Sequence, residues 1–153
     1  MGCSLRSRHD GCVRSDRRPA RHSPPAVLIV EDDPIIAEAA ADAIEAAGCR
    51  AIHVTDGRQA LEVLKQEQPA VMLVDLSLEG MSGTEFLRFV RNDPTWSRIP
   101  RVIMTATNDP MIGVREDAPV FYKPLDLNSL VTVVQRYCER SRPQLSTFVV
   151  RSY

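Results

Sequence analysis

Residues 26–34 read AVLIVEDDP, five apolar residues running straight into Glu31, Asp32 and Asp33. A continuous apolar run of that length reads as a strand buried on both faces. Three carboxylates at its mouth repel one another and resist desolvation unless a cation sits among them. Both the fold and the chemistry turn on whether other strands in the chain end in the same way.

Outward from this stretch, strand and helix signals alternate. Ile36, Ala39, Ala40, Ala43, Ile44 and Ala47 recur at helical spacing and stop at Gly48. RAIHV (50–54) is a second, shorter strand. DGRQALEVLKQEQ (56–68) is a helix with Asp56 placed to cap it and Pro69 after its end. AVMLVD (70–75) is a third strand ending on Asp75. LSLEGMSG (76–83) is a loop, and TEFLRFVRND (84–93) a helix expected to bury Phe86, Phe89 and Val90. RVIMTA (101–106) and PVFYKP (119–124) supply the fourth and fifth strands. A last helix puts Leu127, Leu130, Val131, Val134, Tyr137 and Cys138 on one face. Five strand–helix units predict an α/β fold, a parallel sheet with helices on both faces.

In doubly wound sheets ligands bind at the carboxyl ends of the strands. Here strand one ends in Glu31-Asp32, strand three in Asp75, strand four in Thr105 and strand five in Lys123-Pro124. An Asp at one strand end is usually a turn residue; polar residues at four strand ends form a constellation. Glu31, Asp32 and Asp75 suit a hard divalent cation such as Mg²⁺, which takes oxygen ligands and keeps several waters. Lys123 can offset phosphoryl charge, Thr105 can donate to a phosphoryl oxygen, and the carboxylate of Asp75 can act as nucleophile toward phosphorus. Phosphoryl transfer needs mainly positioning and charge neutralisation, and this set supplies both.

With VLIVEDDP, VMLVDLSLEGMSG, VIMTA and YKP in place, the chain resembles the response-regulator receiver domains of two-component signalling over about residues 26–140. The resemblance implies a CheY-like, flavodoxin-like sheet of strand order 2-1-3-4-5. It implies that Asp75 accepts a phosphoryl group from a histidine kinase or phosphotransfer protein. Asp32 and Asp75 would ligate Mg²⁺ together with the backbone carbonyl of Ser77, and Glu31 would act largely through water. Asp33 is then a solvated turn acid. Thr105 would swing toward the phosphorylated Asp75 and Lys123 would pair with the new charge, a local change that biases a two-state surface.

The sequence departs from that family in two places. Glu79 stands where Pro is frequent, with Gly80 and Gly83 left to supply turn flexibility. Only 17 residues separate Thr105 from Lys123, and TNDPMIGVREDAP (107–119) has a poor helical pattern, so the fourth helix is expected to be short or disordered. Val120 occupies the position of the usual switch aromatic; Tyr122, on the same strand face by alternation, is either its substitute or a packing or rim tyrosine. His53 reads as a packing or surface residue, Trp96 as an anchor for the loop into strand four, and Arg91, Arg98 and Arg101 form no continuous stripe.

At 153 residues, 44% hydrophobic and 25% charged, the chain has the composition of one globular domain with extensions. The net charge of −1 hides an asymmetry: residues 1–25 carry six Arg and two Asp, and the remainder is acidic. The expected organisation is a disordered Arg- and Pro-rich arm (1–25), a receiver domain (26–140) and a tail (141–153) too short for a DNA-binding output domain, in which STFVV is an extra strand, a docking tail or a frayed end. Cys3, Cys12, Cys49 and Cys138 lack a CxxC spacing and read as free thiols. With neither a secretory signal nor an apolar run of roughly 18–20 residues, the expected setting is the cytoplasm, away from membranes.

Three functions compete. The first is a phosphoacceptor switch acting on an unidentified downstream protein, able to catalyse only its own phosphoryl transfer and dephosphorylation, with room for a homodimer. The second is a receiver-fold interaction module that is never phosphorylated. The third is an Mg²⁺-dependent phosphatase or hydrolase, disfavoured because the second acid such enzymes carry falls here on Ser77.

Overall fold

The computed structural model describes residues 23–109 and 111–142. The arm before residue 23 and the tail from residue 143, with the expectations placed on them, lie outside these residues. Parallel strands β1 (Ala26–Val30), β2 (Arg50–Val54), β3 (Val71–Asp75), β4 (Arg101–Thr105) and β5 (Val120–Tyr122) lie side by side in the order β2-β1-β3-β4-β5. Between and after them run α1 (Pro34–Ala46), α2 (Gly57–Gln66), α3 (Gly83–Asn92), α4 (Ile112–Glu116) and α5 (Leu127–Ser141). This is the doubly wound, flavodoxin-like sheet expected.

The continuous apolar runs are central strands: every residue of β1 and β3 is buried. Alternation along each strand divides the core into two layers. Val27, Ile29, Val71, Leu73, Val102 and Met104 pack on one face under Ile44 of α1 and Leu130 and Val134 of α5. Leu28, Val30, Met72, Val74 and Ile103 pack on the other under Leu64 of α2 and Phe86 and Leu87 of α3. Burying each such side chain contributes about 1.5–3 kcal/mol of transfer free energy.

The helices start where the sequence places capping residues. Asp33 caps α1, its Oδ1 accepting from the N–H groups of Ile35 (2.9 Å) and Ile36 (3.3 Å), with Pro34 in the first turn. The third acid of the opening run is therefore a helix cap, which is more specific than a solvated turn acid. Asp56 caps α2 through the Gln59 N–H, and Ser82 with Glu85 forms a reciprocal capping box on α3.

One core assignment is corrected. Phe86, Leu87 and Val90 are buried on α3, but Phe89 is 47% exposed, with the Arg88 guanidinium 5.9 Å from its ring centroid. At about 100° per residue, Phe86, Leu87 and Val90 share an arc facing the sheet and Phe89 falls outside it.

The fourth helix is as short as expected, five residues. Its last residue, Glu116, is buried and pairs with Arg91 Nη1 at 2.6 Å, while Arg101 Nε donates to the Glu116 carbonyl at 3.0 Å. Two arginines that form no stripe in the sequence thus hold one helix end against α3 and β4. Trp96, in a short 3-10 turn (Trp96–Arg98), packs on the second core layer ahead of β4, as an anchor should. Cys49 and Cys138 are free and buried; burial, then contact with Cys49, pushes the Cys138 thiol up to about 12, which leaves it inert. Among the described residues no helix is long and apolar enough to cross a membrane.

Candidate functional site

From β1 the chain turns into α1 on one face of the sheet, and from β3 it turns into α3 on the other. Strands β1 and β3 are adjacent, so their departing loops diverge and open a crevice at the carboxyl edge. Glu31 and Asp32 follow β1, Asp75 ends β3, Thr105 ends β4, and Lys123 follows β5. All the sequence-predicted site residues therefore gather at one edge, with Asp75 on the central strand.

One carboxylate oxygen from each of Glu31, Asp32 and Asp75 lies within 4.8 Å of the others. Glu31 is fully buried, Asp75 is 3% exposed, and Asp32 is half-buried. Lys123 spans the pair of buried acids, its Nζ 2.6 Å from Asp75 Oδ2 and 2.8 Å from Glu31 Oε2. The first contact is a hydrogen bond; the second is an ion pair without hydrogen-bond alignment, which leaves Glu31 Oε2 without a hydrogen-bond partner. Burial pushes the Glu31 carboxyl above its ordinary range, against the pull of Lys123 and the Asp33 N–H. Burial pulls the Lys123 ammonium down, but the contacts with Asp75 and Glu31 outweigh it and leave Lys123 above its ordinary value. Three carboxylates gathered at one edge, two of them buried, fit an oxygen-coordinated divalent cation.

Backbone N–H groups fix the remaining oxygens. Glu31 Oε1 accepts from Asp33 at 3.0 Å, Asp75 Oδ1 from Ser77 at 2.9 Å, and Asp32 Oδ2 from Glu79 at 3.1 Å. His53 Nε2 lies 2.8 Å from the Glu31 carbonyl oxygen, so that nitrogen carries the proton. The His53 and Glu79 contacts have no signature in the sequence, because one partner in each is a main-chain group.

Thr105 is fully buried, and its Oγ1 accepts from the Thr107 N–H at 3.0 Å. The Thr107 carbonyl accepts from Asp109 N–H (3.1 Å), whose carbonyl accepts from the Tyr122 hydroxyl (3.3 Å). Tyr122 is 43% exposed, a rim tyrosine tied to the loop that follows Thr105, whereas Val120 packs into the core layer under α3.

Gly83 opens α3 against the back of the site. A Cβ there would lie 1.8 Å from the Asp75 carbonyl oxygen, so only glycine permits this approach. Gly83→Ala should therefore cost about 3 kcal/mol or more in urea-unfolding free energy, through displacement of β3 or α3. A loss below about 0.5 kcal/mol would mean that the loop relaxes freely.

Known proteins give the same picture. Residues 27–135 match the response regulator receiver domain family. The chain is 32% identical over 122 residues to the DNA-binding response regulator MtrA of Mycolicibacterium smegmatis, covering 77% of this chain and 52% of that protein. It thus spans about half the length of that relative. It is also 32% identical over 83 residues to the polar-differentiation response regulator DivK of Brucella anthropi, covering 54% of this chain and 68% of DivK. The chemotaxis response regulator CheY4 of Vibrio cholerae superposes with a TM-score of 0.67 at 26% identity, over 74% of this chain and 98% of CheY4. By sheet order, by the acids gathered at the β1–β3 crevice and by these matches, the chain belongs to the response regulator receiver domain family of two-component signalling.

Proposed function

We propose that Asp75 accepts a phosphoryl group from a phosphohistidine on a histidine kinase or phosphotransfer protein, in an Mg²⁺-dependent step, and that the phosphorylated form changes binding to a downstream protein. The observation that carries this reading is the position of Asp75: central, nearly buried, bonded to Lys123, and beside two further carboxylates. A carboxylate oxygen of Asp75 forms the new bond to phosphorus as the phosphorus–nitrogen bond breaks. The departing imidazole keeps that electron pair.

Asp32, Asp75 and the carbonyl of Ser77 would hold Mg²⁺, with Glu31 acting through water. Bound there, the ion would supply charge neutralisation for the phosphoryl oxygens. Lys123, now shared between Asp75 and Glu31, would follow the new negative charge. Thr105 would exchange its bond with the Thr107 N–H for donation to the phosphoryl group. Because the Thr107 and Asp109 links end on the Tyr122 hydroxyl, that exchange would reach the exposed rim of β5.

A second reading, an interaction module that is never phosphorylated, draws on the five-residue α4 and on Val120 at the position of the switch aromatic. Incubation with a small phosphoryl donor, with and without Mg²⁺, separates the two. Mg²⁺-dependent gain of one phosphoryl group supports the switch, and no gain with any donor supports the module.

A further inference from the structure

We infer that the backbone N–H of Glu79 is a positioning donor for the cation site, holding Asp32 ready to bind; this rests on the Mg²⁺ reading above. Glu79 lies 47 residues from Asp32, in the loop between β3 and α3, and its N–H donates to Asp32 Oδ2 at 3.1 Å. A carboxylate has two oxygens, so this bond leaves Asp32 Oδ1 for a ligand while fixing the plane of the group. Asp32 lacks the contacts that hold the other two acids. Glu31 is buried and contacts Lys123, and Asp75 bonds Lys123 and the Ser77 N–H, whereas Asp32 is half-buried and contacts neither.

The same loop carries Ser77, whose N–H binds Asp75, so the tether also joins the two acids through one short segment. Gly80, with φ of +75°, turns the chain directly after Glu79. A loop that holds one acid through residue 77 and the other through residue 79 spaces both against the cation. Hydrogen-bond partners of ligating carboxylates act in this way, and losing one typically lowers metal affinity about 10-fold or more. Proline has no N–H to give, so the glutamate matters here for its main chain; its exposed side chain is incidental.

Calorimetric Mg²⁺ titration of the wild type, Glu79→Pro and Glu79→Ala tests this, with the melting temperature in chelator recorded for each. Glu79→Pro should bind about 10-fold more weakly, while Glu79→Ala, which keeps the N–H, should stay within about 2-fold of the wild type. A purely structural role would lower the melting temperature of Glu79→Pro and leave its affinity alone. Equal or tighter Mg²⁺ binding by Glu79→Pro overturns the inference, since the N–H would then be idle or in competition with the ion. Amide hydrogen exchange of Glu79 in the wild type needs no variant: protection should persist when Mg²⁺ binds, and its loss overturns the inference. A wild type that binds no Mg²⁺ removes the reading on which the inference rests, which is a different result from normal binding without a Glu79 effect.

Discussion

Asp75→Asn should abolish phosphoryl uptake from a small donor or a phosphohistidine protein, leaving no gain of mass where the wild type gains one phosphoryl group. An amide oxygen of the same shape is far too weak a nucleophile to replace a carboxylate. The neighbouring acids should not substitute. Glu31 is fully buried with its Oε1 held by the Asp33 N–H, and Asp32 has no contact with Lys123. The loss should be separable from unfolding. The substituted amide keeps an oxygen for the Ser77 N–H but gives up the second oxygen that pairs with Lys123. This loss is offset by relief of the Asp75–Glu31 repulsion and by the pairing of Lys123 with Glu31 that remains. The variant should therefore stay folded and melt within roughly 5 °C of the wild type in chelator. Intact-mass spectrometry with matched melts reads both outcomes; phosphorylation of Asp75→Asn at the wild-type rate would place the acceptor elsewhere.

The sheet was legible because each strand is a compact apolar run closed by a polar residue, and because caps such as Asp56 mark the helix starts. Strand ends collect at one edge of any parallel sheet, so residues 31, 32, 75, 105 and 123 group together on strand position alone. Side-chain pattern misplaced Phe89, whose exposure depends on how α3 rolls on the sheet. The pairing of Glu116 with Arg91 and Arg101 joins segments that have no local signature in common. The Glu79 tether was hidden for a deeper reason. A residue that acts through its N–H leaves no trace in its side chain, and the sequence showed only that Pro was absent.

Lys123→Ala should destabilise the metal-free protein by about 3 kcal/mol near neutral pH, because it strands two buried carboxylates. In the wild type Lys123 Nζ lies within 2.8 Å of both Glu31 and Asp75, so one ammonium offsets two charges. The pH dependence follows from the direction of each shift. Lys123 sits above its ordinary 10.5, so its stabilisation is fully present below that pH and is lost as pH rises through the raised value. Glu31 sits above its ordinary 4.5, so its ionisation costs stability at neutral pH, and that cost vanishes as pH falls through the raised value. Removing Lys123 takes away the contact that holds Glu31 down and raises it further. The stability difference between wild type and variant should therefore be largest at neutral pH and shrink as pH falls through the raised Glu31 value. Urea unfolding in chelator over a pH series from neutral to acid measures it. A deficit that stays constant or grows on acidification would mean that Lys123 stabilises the fold through packing of its aliphatic stem, with the charge pairing to Glu31 and Asp75 contributing little.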